Sequence, residues 1–92
     1  SVWDVSLSND GSKACLSKGG AGMEIIDISK PVPKLLGNFN ENELGGYEIR
    51  RSALSSDGSK AYLAAGTDGL RVIDISNPVA PTLFGTYEVG GI

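Results

Sequence analysis

Histidine is missing from this 92-residue sequence, and cysteine and tryptophan occur once each. Without histidine, one chain holds no Ser-His-Asp or Cys-His catalytic arrangement, no imidazole zinc ligand and no histidine pH switch. The single cysteine, Cys15, has no second cysteine in the chain with which to form a disulfide. Several common classes of enzyme and metal site are therefore excluded from the start.

Basic residues and long apolar runs are also scarce. Eight Lys and Arg stand against eleven Asp and Glu, which gives a net charge of −3, and the basic residues are scattered along the chain. Binding of nucleic acid needs clustered basic residues that follow the phosphates. No uncharged apolar run approaches the roughly 18 residues of a membrane span. The sequence therefore predicts neither a nucleic-acid partner nor a membrane-spanning helix.

Internal repetition is what the sequence has in abundance, together with 13 glycines. The segment 6–40 aligns with the segment 53–88, at an offset of 47 from Leu7/Leu54 onward and of 48 from Pro33/Pro81 onward. About half of the aligned positions are identical. The chain is therefore two copies of one unit, which we place at residues 1–45 and 46–92.

The repeat length and the turn signals predict the structure of each unit. A period in the high forties with a turn signal about every ten residues predicts four short strands per unit, as in a propeller blade. Helices are excluded because Gly or Pro recurs nearly every ten residues and no i, i+3, i+4 apolar pattern is present. The predicted strands are 2–7, 13–17, 23–28 and 34–39, then 47–54, 60–65, 70–75 and 82–87. The fold class is all-β, with two four-stranded antiparallel blades.

The third strand of each unit, 25–28 or 72–75, is apolar on both faces, which is typical of a strand covered on both sides. A blade face of about 300 Å² left in water forfeits about 7 kcal/mol of hydrophobic stabilisation. Two blades alone leave two such faces open. We therefore expect head-to-tail self-association into a closed ring, with a homotrimer of six blades favoured over a tetramer of eight, or else a piece of a larger propeller.

Four aspartates recur at matching places in the two units. Asp27 and Asp74 precede Ser by two residues and Pro by four, where a carboxylate can accept N–H bonds from the following turn. Asp10 and Asp57 precede glycine in predicted hairpin turns. A role as acid, base or ligand is the alternative for such groups. Recurrence in both units favours a structural role, because a catalytic group is usually needed once. We predict no metal site and no cofactor.

The strings GMEIIDISKPVPKLLGNFN and GLRVIDISNPVAPTLFGTYE resemble the LVIVD repeat of bacterial and archaeal β-propeller proteins. The resemblance covers essentially the whole chain and rests on the VIDIS-NP core followed by PxLxGxY. It implies a four-stranded blade whose first strand lines a central channel, and an extracellular or cell-surface location. It implies no particular activity. The chain departs from the family in having only two copies and a longer 40–44 segment between them.

Positions that differ between the copies are the candidates for ligand binding. In the geometry that the resemblance implies, several of them cluster where the innermost strands enter the channel. An aromatic plate, two guanidinium groups and several carboxylates suit a polar small molecule, glycan or peptide. Ion pairing and simple packing are the competing interpretation. The candidate residues are Trp3, Asp4, Glu41, Glu43, Tyr47, Arg50 and Arg51.

The leading prediction is a non-enzymatic β-propeller scaffold or binding module that self-assembles head to tail into a ring. A fragment of a larger surface or secreted propeller with lectin-like or peptide binding is the alternative. A metal-dependent hydrolase at the channel is disfavoured, because the chain has no histidine and no carboxylate cluster on the inner strands. Cys15 is expected to fill a small apolar space rather than to react.

Overall fold

The computed structural model describes residues 2–40, 49–65 and 69–87. The described chain forms two antiparallel sheets, each with its four strands in sequence order. The first sheet holds β1 (Asp4–Leu7), β2 (Lys13–Ser17), β3 (Met23–Asp27) and β4 (Lys34–Phe39). The second holds β5 (Arg51–Leu54), β6 (Lys60–Ala64), β7 (Leu70–Asp74) and β8 (Thr82–Tyr87). The predicted all-β class is confirmed, and the two sheets are consistent with two propeller blades.

Three of the predicted strands, β2, β4 and β8, have the predicted bounds, and β1, β3, β6 and β7 are shorter. In the predicted strand 47–54, residues 49 and 50 precede β5, and residues 47 and 48 lie outside the described residues. We call the first strand of each sheet, β1 or β5, its inner strand. Strand β1 begins at Asp4 and not at residue 2, because Asp4 pairs with Ser17, the last residue of β2. Strand β5 begins at Arg51 for the same reason, opposite Ala64 at the end of β6. The third strand ends at Asp27, which pairs with Lys13 at the beginning of β2. Each ladder thus stops where its partner strand turns away.

The turns between the first two strands of each sheet have the geometry that Asp-Gly sequences favour. Gly11 and Gly58 have φ values of 76° and 75°, a region that costs glycine little because it has no Cβ. Ser8 N–H donates to the Lys13 carbonyl at 2.9 Å, and Ser55 N–H donates to the Lys60 carbonyl at 2.9 Å. The two hairpins are therefore the same structure repeated.

The two sheets stack face to face, and β5 lies against β1 and β2. Residues paired across an antiparallel ladder point to the same side, so the register shows which face each sheet buries. Sheet 1 presents one face of β2 and β3 to sheet 2, and sheet 2 presents the opposite face of its own β6 and β7. The buried core between them is Cys15, Met23, Ile25, Phe39, Ile49, Ala61, Leu63, Ala65, Ile73 and Ile75.

The third strands show the consequence of this stacking. Ile25 is fully buried against sheet 2, whereas its neighbour Ile26 is half-buried on the other side of the sheet. In sheet 2 the order is reversed: Ile73 is fully buried, and Val72, the equivalent of Ile25, is half-buried. The third strand of each unit is apolar on both faces, but within one chain only one of those faces is covered by the other sheet.

Candidate functional site

The hairpin turns hold two carboxylates in nearly identical environments. One oxygen of Asp10, Oδ1, accepts from Ser12 N–H at 2.9 Å, from Ser12 Oγ at 2.8 Å and from Ser8 Oγ at 2.8 Å. Asp57 accepts the same bonds from Ser59 and Ser55. The backbone bond first, then the hydroxyl bonds, lower the pKa of each carboxyl to about 2. Both groups are therefore ionised over the whole neutral range.

The other two recurrent aspartates lie at the ends of the third strands. Asp27 Oδ1 accepts from Ser29 Oγ at 2.6 Å and from Ser29 N–H at 2.9 Å. Asp74 Oδ1 accepts from Ser76 Oγ at 2.7 Å and from Ser76 N–H at 2.9 Å. These bonds, the hydroxyl one first, lower the pKa of both carboxyls. Their geometry is that of turn-forming acceptors on exposed turns.

Trp3 and Arg50 come together at the opposite end of the sheets. The Arg50 guanidinium carbon lies 4.9 Å from the centroid of the Trp3 ring, within the range of a cation–π interaction. The indole also covers Gly19, because a Cβ at that position would lie 2.7 Å from Trp3 Nε1. Trp3 nevertheless stays 56% exposed. The pair is thus a stacked, accessible aromatic surface, and ligand binding there stays a prediction.

The remaining candidates for the ligand site do not all join this pair. Asp4 points between the sheets, where its Oδ2 accepts the Ser52 N–H at 2.9 Å. Arg51 is exposed at the beginning of β5. The other three predicted members lie outside the described residues, namely Glu41, Glu43 and Tyr47.

A groove of about 460 Å³ opens between the two sheets at the hairpin end. Its lining includes the apolar residues Ile25, Leu54 and Ile75 and the turn carboxylates Asp10 and Asp57. The sequence did not indicate this groove, because it forms only when one sheet stacks on the other. It is a consequence of the packing interface between the two sheets, which we call the joint and which contains the buried core residues given above.

Exposed apolar side chains lie on the outward faces of the two sheets. We call the outward side of sheet 1 the first open face and define it by Val5, Leu7, Leu16, Ile26 and Leu35. The second open face, on sheet 2, is defined by Tyr62, Leu70, Val72, Phe84 and Tyr87. Leu7 is 60% exposed and Phe84 is 65% exposed. Each face is a sheet surface with side chains of the kind that the joint between the sheets buries.

Some polar groups in the joint carried no signal in the sequence. The hydroxyls of Ser6 and Ser52 are hydrogen-bonded to each other across the two inner strands at 3.0 Å. Ser17 is fully buried, and its Oγ has no hydrogen-bond partner among the described residues. A serine in a short strand looks the same in sequence whether it faces solvent or another sheet. Only the stacking order reveals that these three face inward.

Cys15 lies inside the joint and is fully buried. Its Sγ lies 3.6 Å from Met23 Sδ, and burial raises the pKa of the thiol to about 11. A thiol with such a pKa carries almost no reactive thiolate at neutral pH. The environment of Cys15 is that of a packing residue.

Among the residues that the structure describes, no cluster of three Cys, Asp or Glu side chains has the spacing of a metal site. The same part of the chain contains no helix with the length and hydropathy that a membrane crossing requires.

Comparison with known families gives one match. The model of the LVIVD repeat matches residues 1–41 and 54–89, which together make up most of the chain. The first matched stretch contains all four strands of sheet 1, and the second contains β6, β7, β8 and the last residue of β5. The two stretches correspond to the two copies of the sequence repeat. A search of curated proteins found no match.

Proposed function

The chain belongs to the LVIVD-repeat family, and from that premise we propose that it is a non-enzymatic scaffold whose copies join head to tail into a closed ring. One observation carries the proposal. Each repeat unit has two sheet faces, and the chain buries one face of the first unit against the opposite face of the second. It leaves the other face of each unit open. The open faces are equivalent, residue by residue, to the faces that the chain already packs together. A second copy offers the surface that each open face lacks.

The side chains on the open faces support association over exposure to water. Burying an exposed large apolar side chain stabilises by about 1.5 to 3 kcal/mol. Several such residues lie together on each open face, among them Leu7 and Leu35 on the first and Phe84 and Tyr87 on the second. Contiguous apolar patches of this kind mark interaction surfaces in proteins.

Closure of the ring sets the number of chains. A head-to-tail interface uses two different surfaces, so it gives a ring when its rotation closes. Each chain contributes two sheets, so three chains make a six-bladed ring and four chains make an eight-bladed one. We favour the trimer, with the tetramer as the alternative.

A non-enzymatic role is supported by the same repetition. The recurrent carboxylates bond to their own turns in both sheets, and Cys15, whose thiol pKa is raised by burial, is enclosed in the joint. The apolar open faces, by contrast, are surfaces suited to packing against another sheet. A scaffold that presents symmetric sites, including the Trp3–Arg50 surface, is the function that these features support.

The solution mass tests the proposal. We expect light scattering on a sizing column to give three times the chain mass of 9.5 kDa, or four times that mass for the alternative ring. Circular dichroism of the same fraction should show β structure. A folded chain that keeps its single mass up to high concentration contradicts self-association. An unfolded or aggregated chain indicates instead a fragment that needs partner blades from a larger propeller.

A further inference from the structure

Gly37 on β4 is the point where the loop of the second sheet contacts the first. A Cβ at Gly37 would collide with the carbonyl oxygen of Pro78 and lie 3.0 Å from both Pro81 Cδ and the Val79 carbonyl oxygen. Real Cβ atoms do not approach backbone atoms so closely. The loop 78–81 of sheet 2 therefore packs directly against the backbone of β4 at Gly37, where no side chain separates them. Glycine inside a strand often marks such a close approach of another backbone.

Gly85 on β8 is the equivalent position of sheet 2, and its surroundings are different. Like Gly37, it pairs with the third strand just before the bulge, opposite Val72 in place of Ile25. A Cβ at Gly85 would meet no atom of the described residues within 4 Å. The first sheet has the matching loop, Pro31 to Pro33, which is exposed. We call a strand glycine that can receive such a loop a seat. One chain thus has one seat that is covered, Gly37, one equivalent seat that is uncovered, Gly85, and one exposed loop of the same kind, 31–33.

We propose that Gly85 is the seat for the loop 31–33 of a second copy of this chain. The second open face of one copy then packs on the first open face of the next, in the register that joins the two sheets within a chain. This inference rests on the proposed self-association and adds the identity of the joined surfaces, their orientation and their point of closest approach. The carbonyl groups of Pro31 and Val32 take the places of those of Pro78 and Val79.

The sequence difference between the loops is compatible with this seat. The second loop has one residue more, and the alignment places it at Ala80. Two of the three close contacts to Gly37 come from the carbonyl oxygens of Pro78 and Val79, which precede that residue. Pro31 and Val32 also precede the point of difference. The shorter loop therefore keeps both carbonyl groups that define the seat.

One pair of side chains along the inner strands also fits the arrangement. Within a chain the inner strands meet through the Ser6–Ser52 hydrogen bond, which is polar on both sides. At the joint between copies, the repeat puts Ala53 in place of Ser6 and Val5 in place of Ser52. Both replacements are apolar, and Val5 is exposed in the single chain. A polar pair is thus replaced by an apolar pair, and neither side leaves an unpaired hydroxyl.

The first experiment uses Gly85→Ala. The new Cβ meets no atom of the described residues within 4 Å, so circular dichroism should not change and the unfolding midpoint of the isolated chain should not fall. At the joint it meets backbone, and overpacking of this kind should weaken association by roughly 5- to 150-fold. Ser56→Ala, which removes only a hydroxyl at an exposed position of the turn between β5 and β6, is the control and should keep the mass of the unchanged chain.

A mixing experiment tests the orientation. Leu7→Glu places a charge on the first open face, and Gly85→Ala weakens binding through the second. At a concentration where Gly85→Ala alone is a single chain, Leu7→Glu alone should also be a single chain, whereas an equal mixture should give a dimer of twice 9.5 kDa, because one intact face of each kind remains. Dimers formed by either variant alone would indicate that like faces pair, and would overturn the inference.

The outcomes separate this inference from the proposed function. If the unchanged chain assembles and Gly85→Ala assembles equally well, the seat is wrong while self-association stands. If the unchanged chain is a folded monomer at all concentrations, both are wrong. Loss of assembly in Gly85→Ala, with assembly kept in Ser56→Ala and the 1:1 dimer in the mixture, supports the inference.

Discussion

Removing one methyl group from Ile73 and from Ile26 compares the same repeat position on a buried face and on an open face. Ile73 is fully buried against sheet 1, whereas Ile26 is half-buried on the first open face. Ile73→Val should lower the free energy of unfolding by about 0.5 to 1.5 kcal/mol, from lost burial of about 0.8 kcal/mol plus a cavity. Ile26→Val should cost less than about 0.5 kcal/mol in the free chain, as surface changes usually do.

Urea unfolding followed by circular dichroism measures both values, at a dilution where light scattering gives the mass of a single chain. Valine keeps the β-branch, so strand propensity is the same in both variants and burial alone differs. As the concentration rises and copies associate, the cost at Ile26 should grow toward the cost at Ile73. Equal costs in the free chain would refute the assignment of buried and open faces.

Two further predictions follow from single groups. Gly37→Ala should destabilise the chain by about 1 to 3 kcal/mol, because the new Cβ meets the Pro78 carbonyl. Thermal unfolding measures this loss, with Gly85→Ala as the variant that should not lose stability. An unchanged unfolding midpoint in Gly37→Ala would mean that the loop 78–81 does not contact β4. The carboxyls of Asp10 and Asp57 have pKa values lowered to about 2 from the ordinary 3.8, so their stabilisation is complete above pH 3.8 and is lost as the pH falls through 2. Asp57→Asn should flatten this acid dependence in unfolding midpoints measured between pH 2 and 5, and an equally steep dependence in the variant would contradict the bonds to Ser55 and Ser59.

Local features of the sequence predicted the strands well. Hairpin turns with Asp10-Gly11 and Asp57-Gly58 and the proline-bearing third turns are determined by backbone preferences within a few residues. Strand ends were less predictable, because Asp4 begins β1 only through its pairing with the last residue of β2. That pairing depends on register, which apolar residues at positions 2 and 3 do not reveal.

The candidate ligand site was predictable only in part. Trp3 and Arg50 were expected to lie close together, and the structure brings them into contact at 4.9 Å. Asp4 was grouped with them from its place in the sequence, yet its carboxylate points into the joint and bonds to Ser52. In a strand, adjacent residues point to opposite faces, so neighbours in sequence are separated by the sheet itself. The groove and the seat at Gly37 had no counterpart in the pattern, because each needs two sheets.

The two copies of the repeat finally show why a repeat specifies a fold more readily than an environment. Ile25 and Val72 occupy the same place in the unit, as do Ile26 and Ile73, yet in each pair one member is fully buried and the other is not. The sequence of the unit does not determine which member is buried. The side on which the unit meets the other sheet determines it. In a closed ring every unit has a neighbour on both sides, and this difference between the copies disappears. The proposed ring would cover the apolar residues on both faces of β3 and β7, whereas a single chain covers them on one face of each strand only.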